Sequence, residues 1–243
     1  NYVTIAPAEG TTTGQNHRYT GSIVAVNYGD IISCVNYGDI TAEQYASGIV
    51  ARSDRGNIVD CINYGKITGK GFKPAGICGE TKGGTVTGCV NYGDVSGSQY
   101  AAGIVALNAA TLSNCINYGN VTQTGSETAG GIAGGSTGAI SNSTNYGNVT
   151  GVNKQVGGIV GSASATVSGC KNYGNVATTG NYDNVGGIVG YTSAAISDCV
   201  NHGTVTGSHD SYGGIVGRIH GGASETYTFT NPLDYTTVIL KNQ

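Results

Sequence analysis

The sequence has no methionine, even at position 1, only three prolines, and charged side chains at 10% of residues against the usual quarter. The missing methionine leads us to expect an excised domain or a processed chain rather than an intact translation product. Three prolines exclude collagen. The formal net charge of -3, from 11 basic and 14 acidic side chains, lacks the dense basic face of a nucleic-acid binder. Low charge also argues against a long disordered tail. No run approaches the roughly 18 apolar residues of a membrane span.

Motifs for common chemistries are also missing. The four histidines, His17, His202, His209 and His220, form no His-Glu-x-x-His pair. No Gly-x-Ser-x-Gly elbow comes with a plausible triad. Neither a phosphate-binding glycine loop ending in Lys-Ser/Thr nor a calcium-type glycine–aspartate repeat occurs. We therefore expect no catalytic residues, no cofactor and no metal.

What the chain has is glycine, 43 of 243 residues, and a repeat. Asn-Tyr-Gly begins at Asn36, Asn63, Asn91, Asn117, Asn145 and Asn172, and Asn-His-Gly at Asn201, in steps of 27, 28, 26, 28, 27 and 29. An isoleucine among small residues recurs in phase at Ile23, Ile49, Ile77, Ile104, Ile132, Ile159, Ile188 and Ile215. An extra Asn27-Tyr28-Gly29 falls between anchors and reads as a chance copy. The repeat covers residues 21–220, leaving 1–20 and 221–243 as caps or linkers, with Thr226 to Thr230 a candidate capping strand.

Frequent glycine opposes helix. The apolar runs are short, β-branched and bounded by Gly, Asn, Ser and Asp, as strands are. We expect an all-β, single-stranded parallel β-helix (a β-solenoid) of about eight coils of about 27 residues, with three short strands per coil. If Val121, Val149 and Val176 point inward, the Cys and Asn columns share their parity and the Tyr column points out. Ile and Val are adjacent in every unit, so either a bend turns both inward or one stripe faces out.

Six cysteines stand two residues before the Asn: Cys34, Cys61, Cys89, Cys115, Cys170 and Cys199, with Ser143 in the missing rung. Nothing pairs them as tetrahedral zinc ligands. Stacked parallel strands hold Cβ atoms too far apart for disulfides. A buried ladder of small apolar thiols fits, with Cys78 as similar filler at a Val position. The Asn column should close a corner by amide hydrogen bonds. The Gly after Tyr should take φ > 0 there.

The Tyr column, including Tyr64, Tyr92 and Tyr118, reads either as a self-stacking stabiliser or as an interaction stripe. The linkers before each isoleucine differ between units and carry Tyr45, Phe72, Tyr100, Tyr182 and Tyr212 beside polar side chains; loops on a solenoid rim commonly bind ligands. A carbohydrate-active β-helix enzyme would need clustered acids, and only Asp39, Lys66 and Asp94 come near that. The column Thr41, Thr68, Ser96, Thr122, Thr150 and Thr206 raises an ice-binding alternative.

Gly-Gly-Ile-Val-Gly at 157–161, 186–190 and 213–217, with Ile196-Ser197-Asp198-Cys199 and Gly203-Thr204-Val205-Thr206-Gly207, resembles the GLUG-type repeat. That repeat occurs in bacterial surface and secreted proteins, including large IgA-cleaving metallopeptidases. Departures are Ala25, Ala51 and Ala106 for the last Gly, and Ser143 for Cys. The resemblance implies a non-catalytic solenoid in an extracellular bacterial protein with flanking domains. It would serve as an adhesin module or rigid spacer, its partner a host glycan or protein or a cell-wall polysaccharide.

Overall fold

A computed structural model describes residues 18–152, 154–180, 183–207, 211–220, 226–231 and 236–241. Among these residues the regular elements are strands, and no helix is long and apolar enough to cross a membrane. The chain winds as a parallel β-solenoid. Each strand pairs in register with its counterpart one coil away, as in Asn63 to Asn91 to Asn117.

The winding has five strand segments per coil, not three, stacked into five ribbons. The first ribbon has eight strands, from Val24–Asn27 to Val216–Ile219. The second (Ile31–Ile32 to Ile196–Ser197), third (Val35–Asn36 to Val200–Asn201) and fourth (Ile40–Ala42 to Val205–Thr206) have seven each. The fifth starts with Thr20–Gly21 on Ala46–Ser47, passes through bridges at Ala75, and runs from Ala101–Ala102 to Ser211–Gly213. There are seven coils rather than eight, because eight isoleucine anchors bound seven turns. At about 4.8 Å per coil the stack is roughly 34 Å long.

A bend makes the Ile-Val pair possible. The carbonyl of Ile77 accepts the N–H groups of both Ile49 (3.2 Å) and Val50 (2.9 Å), and Ile132 does the same for Ile104 and Val105. Two successive donors aimed at one acceptor put both side chains on the inner side. Ile49, Val50, Ile104 and Val105 are all fully buried. They pack with Cys61, Cys89, Cys115, Cys170 and Cys199 and with the second-ribbon Ile58, Val86, Leu112, Ile140 and Val167. A smaller core lies between the fourth and fifth ribbons, around Val121, Val149, Val156, Val176 and Val185.

The Asn ladder forms the wall between these cores. Each Nδ2 donates to the carbonyl two residues on and to Oδ1 of the next Asn: Asn63 to Gly65 and Asn91, Asn91 to Gly93 and Asn117, Asn117 to Gly119 and Asn145, all at 2.7–2.8 Å. Both amide hydrogens are thus used, which makes complete burial of these polar groups tolerable.

The glycine after Tyr is not left-handed. It is needed because the coils approach closely there: a Cβ on Gly93 would overlap the carbonyl oxygen of Gly65. The left-handed column stands just before the cysteines, at Ser33, Asp60, Gly88, Asn114, Asn142, Gly169 and Asp198, with φ of 48–65°. Gly, Asn and Asp tolerate that conformation best.

Asn27-Tyr28-Gly29 is not a chance copy. Asn27 closes a second corner, after the first ribbon, with the chemistry of Asn36: Nδ2 donates to the Gly29 carbonyl (2.6 Å) and Oδ1 accepts the Gly29 N–H (3.1 Å). Asn108 repeats it with Ala110. At the C-terminal side, Thr226–Asn231 is a strand paired antiparallel with Thr236–Lys241. Residues 1–17, most of the expected N-terminal cap, lie outside the described residues.

Candidate functional site

Three exterior features gather the sequence candidates. The first is the tyrosine ladder on the corner after the third ribbon. Tyr37, Tyr64, Tyr92, Tyr118, Tyr146 and Tyr173 stack at centroid distances of 4.8–5.0 Å and interplanar angles of 3–7°. His202 closes the stack on Tyr173 at 4.6 Å. In-register strands dictate this spacing. Since each interior ring covers its neighbours' faces, Tyr64, Tyr92 and Tyr118 present edges and hydroxyls to solvent. They are 44%, 45% and 42% exposed. A sugar or a proline stacks on a ring face, so this ladder is a poor platform for either.

The second feature is a groove of about 580 Å³ lined by Arg18, Gln44, Tyr45, Phe72, Lys73, Tyr100 and Leu107. Three predicted binding residues, Tyr45, Phe72 and Tyr100, meet here. Tyr45, Lys73 and Tyr100 form a column, one per coil, joined by hydrogen bonds from Tyr45 N to Phe72 O (2.7 Å) and Lys73 N to Gln99 O (2.9 Å). The outer face of the first ribbon forms the opposite wall, with Glu80 and Leu107 in register.

Tyr45 is the buried floor of this groove. Its ring lies 4.7 Å from that of Tyr19, and Lys73 Nζ sits 4.8 Å from its centroid while donating to its hydroxyl at 3.0 Å. Lys73 also pairs with Glu80 at 3.0 Å. Burial pulls the Lys73 ammonium toward neutrality, but the Tyr45 hydroxyl and the Glu80 carboxylate outweigh it and hold its pKa above the ordinary value. Burial, then the Glu127 carboxylate, pushes the Tyr100 hydroxyl up. Phe72 is 42% exposed at the rim.

The column is conformationally costly. Tyr45, Lys73 and Tyr100 have φ of 47°, 57° and 52°. The left-handed region costs an L-residue about 1–2 kcal/mol. The corner before the cysteines has the same φ and fills it with Ser, Asp, Asn and Gly. Here two bulky aromatics and a lysine stand where glycine or asparagine would be cheaper.

Tyr212 is remote from this groove. It stands in register with Val185, itself paired to Val156, at the far end of the fifth ribbon and is 63% exposed. Tyr182 lies outside the described residues.

The third feature is the column containing Asp39, Lys66 and Asp94. Asp39 Oδ1 accepts the Lys66 N–H at 2.7 Å, and Asp94 Oδ1 accepts the Asn120 N–H at 2.8 Å. Asn120, Asn148 and Asn175 continue the pattern toward Thr204. These side chains cap backbone donors of the next coil. Lys66, Asp94, Asn120 and Asn148 also line a second groove, of about 450 Å³, with Ser96, Thr122 and Thr150. The threonine column is interrupted at Ala177.

The cysteines are free, and all but Cys34 are buried. The six ladder thiols donate to the carbonyl two residues back, as Cys115 does to Ser113 at 3.3 Å, and Ser143 reproduces the bond to Ser141 at 2.9 Å, whereas Cys78 donates forward to the Glu80 carbonyl at 3.2 Å. Burial pushes the Cys78 thiol up to about 12. Among the described residues no group of three or more His, Cys, Asp or Glu is placed to hold a metal ion.

Sequence reasoning found Tyr45, Phe72 and Tyr100, with the polar Gln44 and Lys73 beside them in the linkers, but not Arg18 and Leu107 as their neighbours. Leu107 stands in a mixed outward column with Val26, Arg52, Glu80, Gly135, Ser162, Tyr191 and Arg218, where nothing in the sequence singles it out.

No family model matches the chain, and no curated protein matches it. A crystal structure of a "putative immunoglobulin A1 protease" from Bacteroides ovatus is similar, with a TM-score of 0.59 at 23% sequence identity over 82% of this chain. This chain spans 66% of that chain's length. At such identity the likeness shows the fold: an all-β solenoid like that of the Bacteroides ovatus protein.

Proposed function

We propose that the chain is a non-catalytic repeat module, of the GLUG type, in a secreted or surface-attached bacterial protein. The solenoid serves as a rigid spacer, and the groove across Tyr45, Lys73 and Tyr100 binds an extended saccharide of host or cell-wall origin. The left-handed column carries this reading. Three bulky residues held in a costly conformation, one per coil and all in one groove, fit selection for a surface rather than for stability. Aromatic side chains beside Gln44, Arg18 and Lys73 supply what a sugar chain needs: an apolar platform for C–H faces and donors for hydroxyls or carboxylates. The extracellular assignment rests on the repeat and on the fold shared with the Bacteroides ovatus protein.

The non-catalytic assignment rests on the acids. Asp39 and Asp94 each spend a carboxylate oxygen on a backbone N–H group of the next coil, with Lys66 between them, whereas glycoside hydrolysis uses two carboxylates free to act as acid and base or nucleophile. Screening the chain against host glycans and bacterial wall polysaccharides tests the binding half. Binding that is lost in Phe72→Ala and Tyr100→Ala but kept in Tyr212→Ala is expected. A binder unaffected by both groove variants contradicts the groove; release of reducing ends or unsaturated products contradicts the non-catalytic assignment.

A further inference from the structure

The coil register builds two ladders of oxidisable side chains with opposite access. The Cys61, Cys89 and Cys115 thiols are fully buried, whereas Tyr64, Tyr92, Tyr118 and Tyr146 are 42–45% exposed. Oxidation of a thiol requires both thiolate character and access; hydrogen bonding to neighbouring thiols, with burial, raises the pKa of Cys61 and Cys89, so these cysteines have neither. Apart from the partly exposed Cys34 at the end of the thiol ladder, an oxidant arriving from solvent therefore meets phenols first. Those phenols stand face to face at 4.8–4.9 Å, within 5° of parallel, over the run from Tyr37 to Tyr146.

We propose that the tyrosine ladder is a modification site at which one-electron oxidation joins neighbouring coils through dityrosine bonds. The co-reactant is hydrogen peroxide acting through a haem peroxidase. Each of two adjacent phenols gives one electron to the peroxidase and its O–H proton to the medium, leaving two phenoxyl radicals. The radicals combine by a carbon–carbon bond between ring positions ortho to the oxygens. The two displaced ring hydrogens move to the oxygens, restoring both phenols. The balance is two tyrosines plus one hydrogen peroxide giving one dityrosine and two waters. Close stacking also lets an electron pass from rung to rung, so radicals formed far apart on the ladder migrate until they are neighbours.

The geometry selects within the chain. Each product links residues one coil apart, such as Tyr64 to Tyr92 or Tyr92 to Tyr118. Each link closes the interface at which a solenoid unzips, and the buried thiols cannot form such links between parallel coils.

The test treats the dilute chain with horseradish peroxidase and hydrogen peroxide. Dityrosine fluorescence is read on the monomer fraction, and cross-linked peptides are mapped by mass spectrometry. The expected result is intrachain links between successive rungs, a monomer lighter by two hydrogens per link, and unfolding shifted to higher denaturant. The alternate-rung variant Tyr64→Phe, Tyr118→Phe, Tyr173→Phe keeps the stack but leaves Tyr37, Tyr92 and Tyr146 two coils apart. It should lose the monomer fluorescence while its far-ultraviolet circular dichroism is unchanged. Links formed chiefly between molecules, links at tyrosines outside the ladder, or undiminished fluorescence in the alternate-rung variant overturn the proposal.

Discussion

Gly103 lies against the side-chain amide of Asn117, across the interior of the same coil. A Cβ on Gly103 would overlap Cγ and Oδ1 of Asn117 and the carbonyl oxygen of Gly131. The pairing recurs as Gly48 with Asn63, Gly76 with Asn91, Gly131 with Asn145 and Gly158 with Asn172. It explains why glycine precedes most of the isoleucines: the amide wall needs a flat surface to rest on. In the first unit Ser22 replaces the glycine and hydrogen-bonds Asn36 Oδ1 at 2.7 Å.

Gly103→Ala should therefore destabilise the chain by about 2–3 kcal/mol, as overpacking does. Asn117→Ala should cost about as much, because it leaves the Gly119 carbonyl and Asn145 Oδ1 without their buried donor. The double variant should cost less than the sum, since the new methyl group then enters space the amide has left. Denaturant titration of the four proteins checks this. Strict additivity would mean that the two residues do not share a contact.

The cysteine ladder should behave as packing, not as redox chemistry. Cys115→Ser should cost under about 1.5 kcal/mol, because Ser143 already makes the same bond in this column. Cys115→Leu should cost more, by overfilling the core. Reductant should leave the melting temperature of the native chain unchanged; a fall on reduction would reveal disulfides where free thiols stand.

Alkali should weaken the fold partly through Cys78. Its thiol holds its proton to about pH 12, against an ordinary value of 9.0. The folded state thus binds that proton more tightly than the unfolded state. The associated stability is complete below about pH 9 and is lost as the pH rises toward 12. Cys78→Val, the side chain usual in that column, should flatten the decline between these limits. An unchanged slope in denaturation midpoints measured across that range would exclude this contribution.

The tyrosine ladder should stabilise mainly by pairs. Tyr92→Ala removes two stacking contacts, with Tyr64 and Tyr118, each worth about 0.5–1.5 kcal/mol beyond area burial. A double-mutant cycle between Tyr92 and Tyr118 should give a coupling within that range. Tyr92→Phe should be close to neutral, since it keeps the ring.

Period, parity and ladders were legible because each coil repeats the same contacts one strand spacing away. The asparagine corner and the outward tyrosines follow from that alone. Contacts within a single coil were not legible, since they join residues that no short periodicity relates. The bend that turns both Ile49 and Val50 inward was one of two arrangements that parity left open, and the Ile77 carbonyl of the next coil, shared by both N–H groups, decides it. That bend, the two asparagine corners, the left-handed turn before the cysteines and the variable linker together divide each coil into five segments instead of three. The glycine after Tyr was assigned to the wrong cause: proximity of Gly93 to Gly65, not a left-handed φ, requires it. The left-handed corner was visible one column before the cysteines, as Ser, Asp, Gly, Asn, Asn, Gly and Asp. In the groove, Tyr45 and Tyr100 were found as variable-linker aromatics, but the buried position of Tyr45 depends on Tyr19 and Lys73 closing over it.

Stacking is tested most directly by distances along one column. The outward residues Thr41, Thr68, Ser96, Thr122, Thr150, Ala177 and Thr206 stand in register one per coil. With Cys34→Ser to remove the partly exposed thiol, spin labels on Thr41→Cys and, in turn, Thr150→Cys, Ala177→Cys and Thr206→Cys should be separated by roughly 19, 24 and 29 Å between backbones, rising by one strand spacing per coil. Pulsed electron spin resonance reads these separations. A linear rise with coil number is the required result; distances that fail to grow from one partner to the next would contradict the solenoid.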